Sequence, residues 1–249
     1  MPPILLLPVL LLLSFAAHAA EVKQVSSLPA PEANQAAAAD EHFVYAIDSA
    51  KVGKYDRATG GRVAVSTGPA HHMNSGFLWE GKLLCAHSNF PQKPEQSQIM
   101  ALDPATMVLG VFKDFGASGG SLTWVVREGD AWWCTFAFYG AANARTRLVK
   151  FDADWKQLAE WTYPPAVISD LGRMSISGGV WHGGQLLTIG HDKRTIYRLR
   201  LPAQGSVLEL IDTIPCPFPG QGLAIDAKTG ELVGIDRDKR QVVFGELKE

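Results

Sequence analysis

Val44-Tyr45-Ala46-Ile47-Asp48 returns along the chain as Leu83-Leu84-Cys85-Ala86-His87, Trp132-Trp133-Cys134-Thr135-Phe136, Leu186-Leu187-Thr188-Ile189-Gly190 and Leu232-Val233-Gly234-Ile235-Asp236. Each copy opens with two large apolar residues and puts a small one third: Ala46, Cys85, Cys134, Thr188 or Gly234. Short apolar runs bounded by turn residues read as buried strands. The copies start 39, 49, 54 and 46 residues apart. Repeats of roughly 40–50 residues with several strands each are the pattern of a propeller.

The flanking sequence fills in each repeat. A second strand follows every copy: Val52 to Asp56, Ile99 to Asp103, Leu148 to Asp152, Ile196 to Arg200 and Val242 to Glu246. Asp56, Asp103 and Asp152 end three of these, where a carboxylate can bind turn backbone. A strand also precedes each copy: Gln35 to Ala39, Ser75 to Trp79, Leu122 to Val126, Ser177 to Trp181 and Gln221 to Ile225. A fourth strand is visible in four repeats: Arg62 to Thr67, Val108 to Phe112, Gln157 to Thr162 and Val207 to Thr213. The fifth repeat ends without one. Glu21 to Ser26 is an orphan strand that can fill that gap beside Val242 to Leu247. The expected fold is all-β: a five-bladed β-propeller closed by an N-terminal strand. The alternative is an open β-sandwich.

Met1 to Ala20 has no Lys, Arg, Asp or Glu, and its apolar run from Ile4 to Leu13 leads to Ala17-His18-Ala19. That reads as a secretory signal peptide over residues 1–19, with an uncleaved anchor as the alternative. Residues 20–249 then form a single propeller domain. The expectation is an exported protein, periplasmic or extracellular, with no stable membrane span after cleavage. The 249 residues carry 23 Lys and Arg against 25 Asp and Glu. That balance argues against a nucleic-acid partner, which needs clustered positive charge. A monomer is expected. The chain has three cysteines, an odd number, so at least one is unpaired within a monomer. Cys85 and Cys134 hold the small-residue position, where free Cys serves as a small buried hydrophobe.

In such a blade, the loop into the first strand and the loop from second to third strand share one face. Here that face carries the polar loops, and the other carries short Gly and Asp turns. His71, His72, His87 and His191 all fall on the polar face. His72, His87 and His191 are candidate ligands for a divalent metal ion, with Asn74, Asp192 or Asp236 to complete the set. The alternatives are that they hold neighbouring loops by hydrogen bonds or do metal-free acid/base work. Arg173, Arg237 and Lys51 are candidates to hold an anion, Arg the better because its contacts are bidentate. Asp236-Arg237 and His191-Asp192 read equally as local pairs. Tyr139, Phe90 and Trp124 are candidates to stack on a sugar ring. Trp132 and Trp133 fit the blade core. No P-loop, HExxH or CxxC motif occurs, and the Gly-rich run Gly116 to Ser121 opens a propeller strand rather than a helix.

The repeat, the leader and the phrase HHMNSGFLWEGKLLCAHSNFPQKPEQS, His71 to Ser97, together resemble secreted bacterial propeller proteins of the kind labelled cycloisomerase. Five blades and export also look like the secreted glutamine cyclotransferases. These resemblances imply the fold; no catalytic motif of either group carries over residue by residue. The leading expectation is an enzyme, of isomerase, cyclase, lyase or lactonase type, acting on a small polar ligand such as a sugar, sugar acid or lactone. His87, His191 and Arg173 would be its catalytic residues. His72, Asn74, Asn89, Ser121, Tyr139, Ser177, Gln221, Asp236 and Arg237 would bind the ligand. The competing expectation is a non-catalytic module of the cell envelope that binds a glycan or a protein through the same face.

Overall fold

The computed structural model describes residues 19–117 and 119–249. Nearly all of the reading of residues 1–19 as a leader therefore lies outside the described residues.

Five four-stranded antiparallel sheets follow one another as blades. Blade one holds β2 (Ala36–Ala39), β3 (Phe43–Ile47), β4 (Val52–Asp56) and β5 (Arg62–Val65). Blade two holds β6 (Met73–Trp79), β7 (Lys82–Ser88), β8 (Ser97–Asp103) and β9 (Val108–Gly116). Blade three holds β10 (Ser121–Glu128), β11 (Ala131–Ala137), β12 (Arg147–Phe151) and β13 (Gln157–Thr162). Blade four holds β14 (Gly178–His182), β15 (Gln185–Ile189), β16 (Thr195–Arg200) and β17 (Glu209–Pro215). Blade five holds β18 (Ala224–Ile225), β19 (Leu232–Asp236), β20 (Gln241–Lys248) and the N-terminal β1 (Glu21–Pro29). This is a five-bladed β-propeller, and the open sandwich is set aside.

The repeated strands, second in each blade, are its most buried part; every residue of β11 is buried. Each blade presses one sheet face on each neighbour, so the apolar residues form clusters between blades. The small third position of the repeat has a steric reason. A Cβ on Gly234 would stand 2.5 Å from the Phe218 ring. Gly179, on β14, is held the same way: a Cβ there would meet the Trp124 indole at 2.6 Å. Trp124, Trp132 and Trp133 are all buried, so Trp124 is core and not a ring platform. Cys85, Cys134 and Cys216 are free and buried, and burial pushes the Cys85 and Cys216 thiols up to about 12. The carboxylates of Asp56, Asp103 and Asp152 accept turn N–H groups, as their positions predict.

β1 closes the ring. It pairs antiparallel with β20 from Glu21 opposite Lys248 to Pro29 opposite Gln241, with an irregularity between Gln24 and Ser26. It runs three residues further than the expected Ser26. Several other strand ends move by one to four residues, among them β9, which runs to Gly116 past the expected Phe112. β18 shrinks to Ala224–Ile225 because Gln221 takes a left-handed φ of 77° and leaves the ladder. The long connection from Tyr163 to Met174 contains a helix, α1 (Pro165–Leu171). Proline at its first turn is compatible with a helix start, and Val167 is its buried anchor. Among the described residues no helix is long and apolar enough to cross a membrane.

A second closure lies on the face of short turns. Arg57, after β4, makes a bidentate pair with Asp226, after β18; its Nη1 donates to Oδ1 at 2.7 Å. Arg57 also donates to the Asp40 carbonyl at 2.9 Å. The Asp226 side chain is wholly buried. Burial alone would raise its pKa, but the hydrogen bonds from Arg57, Lys228 and Thr229 hold it below the usual carboxylate range. Arg57→Ala would leave that carboxylate buried and unpaired. We expect a loss of about 3–5 kcal/mol, read by denaturant unfolding; a change within about 0.5 kcal/mol would mean the pair is not a closure.

Candidate functional site

The loops of the polar face meet around one end of the central channel. The four histidines come from two of the five blades. His71 and His72 lie in the loop entering β6, and His87 lies on β7. His191 follows β15.

His87 is buried, with 7% of its surface exposed. Its Nε2 accepts the His71 backbone N–H at 3.1 Å. An imidazole that accepts at Nε2 carries its proton on Nδ1. That Nδ1 is buried and has no hydrogen-bond partner. Burial, then the nearby His71 and His72, push the pKa of His87 down to about 4. At neutral pH it is therefore a neutral ring that holds one buried N–H without a partner.

His191 is built differently. Its Nδ1 lies 2.6 Å from Asp192 Oδ1, and Arg237 Nη1 donates towards its Nε2 at 3.3 Å. Arg237 Nη2 also donates to Asp192 Oδ1 at 3.2 Å. A carboxylate only accepts, so Nδ1 carries the proton and Nε2 the lone pair. His72 lies between the two systems. Burial lowers its pKa first, and the electrostatic effect of His191 adds to this. The His72 ring stands 5.4 Å from Phe90, and Phe90 stands 4.9 Å from Tyr139. Burial pushes the Tyr139 hydroxyl up to about 12, against the hydrogen bond with Ser121. Gly140 N–H donates to the Arg173 carbonyl at 2.9 Å, which brings Arg173 beside Tyr139. The Arg173 side chain is exposed.

The other candidates have jobs inside the scaffold. Asn74 is buried and donates through Nδ2 to the Leu122 carbonyl at 3.0 Å, tying blade two to blade three. Asn89 braces its own loop: Nδ2 donates to the Pro94 carbonyl and Oδ1 accepts Gln96 N–H. Ser177 donates to the Ser175 carbonyl at 3.4 Å. Asp236 pairs with Arg194 at 3.4 Å and Lys239 at 3.2 Å, and accepts Lys239 N–H. Gln221 is buried, and its Nε2 has no partner. Among the described residues no three His, Cys, Asp or Glu side chains converge as a metal-binding group, and His72, His87 and His191 do not form one.

Sequence reasoning passed over two buried acids. Glu32 is 1% exposed, accepts the Tyr55 hydroxyl, and accepts Arg62 Nη1 at 2.9 Å. It fits because β4 has Gly53 there; a Cβ would stand 2.5 Å from Glu32 Oε2. Asp226 is the other. Both are single acidic residues in turn-rich sequence with no spacing that marks them as buried.

No protein-family model matches the chain, and no curated protein matches it. Among solved structures it is similar to a glutaminyl cyclase from Myxococcus xanthus, with a TM-score of 0.63 and 9% identity over 92% of this chain and 97% of that one. At that identity the likeness shows the fold alone. A mitotic checkpoint complex gives a TM-score of 0.45 at 11% identity over 95% of this chain and 98% of that one. The extracellular domain of a one-component system protein from B. thetaiotaomicron gives 0.44 at 10% identity, over 78% of this chain and 23% of that one.

The depressed pKa of His87 has a stability consequence. Between its ordinary value of 6.5 and about 4, the unfolded chain binds a proton that the folded chain refuses. Stability attached to His87 is thus full above pH 6.5 and is lost as pH falls towards 4. The loss reaches about 3 kcal/mol. His87→Asn should flatten the fall of Tm between pH 7 and pH 4. An unchanged slope would show that His87 titrates normally.

Proposed function

We propose that the chain is an exported enzyme that moves a proton on a small polar ligand at the polar mouth of the propeller. Sugars, sugar acids and lactones are the ligand class. The reaction is an isomerisation, elimination, cyclisation or lactone opening. The observation that carries this reading is the contrast between the two imidazoles: His87 keeps a buried N–H without a partner, while His191 is held by Asp192 at Nδ1 and faces Arg237 with its Nε2 lone pair.

The roles follow from those protonation states. His191 Nε2 takes the proton from the ligand, and Asp192 stabilises the imidazolium that forms. The entering ligand parts the side chains that seal His87 Nδ1, and the Nδ1–H of the neutral ring then donates to the oxygen on which negative charge develops. His191 then returns its proton at the second position or to the leaving oxygen. Arg237 keeps Asp192 and the His191 ring in register and leaves Nε2 when the ligand enters. Arg173 holds an anionic group of the ligand, and Phe90 with Tyr139 offers aromatic faces for its ring. His72, Asn74, Asn89, Ser121, Ser177, Gln221 and Asp236 shape the mouth. Nothing in this scheme routes a step through a metal ion.

The fold it shares with a glutaminyl cyclase makes N-terminal glutaminyl peptides a second class to try. The test is a turnover screen on aldonolactones, aldonic acids and glutaminyl peptides. Turnover of one class should fall by about 10²–10⁴-fold in His191→Ala and in His87→Ala. Tm at pH 7 should stay within a few degrees in the His191 variant. If nothing turns over, yet a sugar acid binds and binding depends on Phe90 and Tyr139 alone, the chain is a binding module and the reading fails.

A further inference from the structure

The opposite end of the central channel is concave as well. It is ringed by short Gly and Asp turns, and nothing in its sequence marks it as functional. All five blades line it, through Ala38, Gly76, Val126, Val180 and Ala224 on β2, β6, β10, β14 and β18. The cavity holds about 140 Å³ and opens to solvent on one side. The wall is mainly apolar, with Arg127 and Glu128 among the lining residues.

The void has a cause in the sequence. β2 is four alanines, so the innermost strand of blade one carries no side-chain atom beyond Cβ. Gly76 has no side chain because Ile47 occupies the space; a Cβ there would stand 2.3 Å from Ile47 Cδ1. Ala224 adds a third small residue. A closed ring holds five inner strands at a fixed distance, so the wall cannot collapse to fill what these residues leave. Apolar cavities of this size bind ring-sized apolar molecules in preference to water, because water inside would lack polar partners.

We propose that this end of the channel is a second binding site, separate from the His87–His191 mouth, for a small monocyclic apolar molecule. The ring enters between the five inner strands. A polar substituent would face the open side, within reach of water and of Arg127 and Glu128. The site needs none of the groups assigned to proton transfer.

The probe is toluene, added to the folded protein at pH 7. Binding to the folded state alone should raise Tm by about 2–4 °C at saturation. Nuclear Overhauser effects should join the toluene methyl to Phe77 and Trp181, which line the cavity. Ile225 also lines it and is only half-buried, so Ile225→Trp can block the cavity without burying a misfit in the core. That variant should lose the Tm response and the Overhauser effects; His191→Ala should keep both. If Ile225→Trp does not fold, the Overhauser effects in the unaltered protein still decide. No Tm rise together with no contact to Phe77 or Trp181 would overturn the proposal. So would contacts confined to Phe90 and Tyr139, which would place toluene at the other mouth.

Discussion

Everything in this fold depends on the ring being shut. A blade buries both faces of its sheet only if a neighbour stands on each side. Blades two, three and four find both neighbours along the chain, while blades one and five must meet each other. The fifth supplies only β18, β19 and β20 from its own stretch, and β1 must return from the other terminus to complete it. Val22 is the buried residue of β1, packed into the cluster that blades three, four and five share. Further ties reinforce the seam. Ala30 N–H donates to the Arg240 carbonyl and Gly222 N–H to the Gln35 carbonyl, both at 2.8 Å. On the other face the Arg57–Asp226 pair crosses the same seam between blades one and five.

Closure explains how the polar mouth can hold an unsatisfied group. A buried donor with no partner costs free energy, and a loose structure would rotate it to water. His87 sits on a central strand with Cys85 and Leu83 below it, all buried, so its ring has no such freedom. Its one satisfied atom faces the His71 backbone. The ring is thereby oriented before any ligand arrives, which is the property that electrostatic stabilisation of a reacting oxygen requires. His191, at the loop after β15, is oriented instead by side chains: Asp192 beside it and Arg237 from the next blade.

Blade number, strand order and closure were legible in the sequence because they follow from a period and from alternation of apolar residues. The small third position predicted buried Cys85 and Cys134, and both are buried. The face on which each histidine falls was also legible, since it depends only on strand parity. What each polar side chain binds was not. Asn74 finds its acceptor 48 residues away at Leu122, and Arg237 meets His191 at a separation of 46. Such pairs are created by the ring and have no local signal. Asn89 and Asp236 carry the residue types of a binding site, yet their side chains are engaged by their own loops and by Arg194. The helix α1 was hidden by Pro164-Pro165, which reads as a break until the second proline is seen to start a helix.

The central claim of the proposed mechanism is that His87 is a preset neutral donor and His191 a carboxylate-held base. Nitrogen-15 NMR of the histidine side chains across pH 4–8 tests it directly. His87 should remain a neutral Nδ1–H tautomer from pH 8 down to about 4, where burial places its pKa. His191 should show its proton on Nδ1 at pH 8. Titration of His87 near 6.5, or a proton on its Nε2 at neutral pH, would contradict the account.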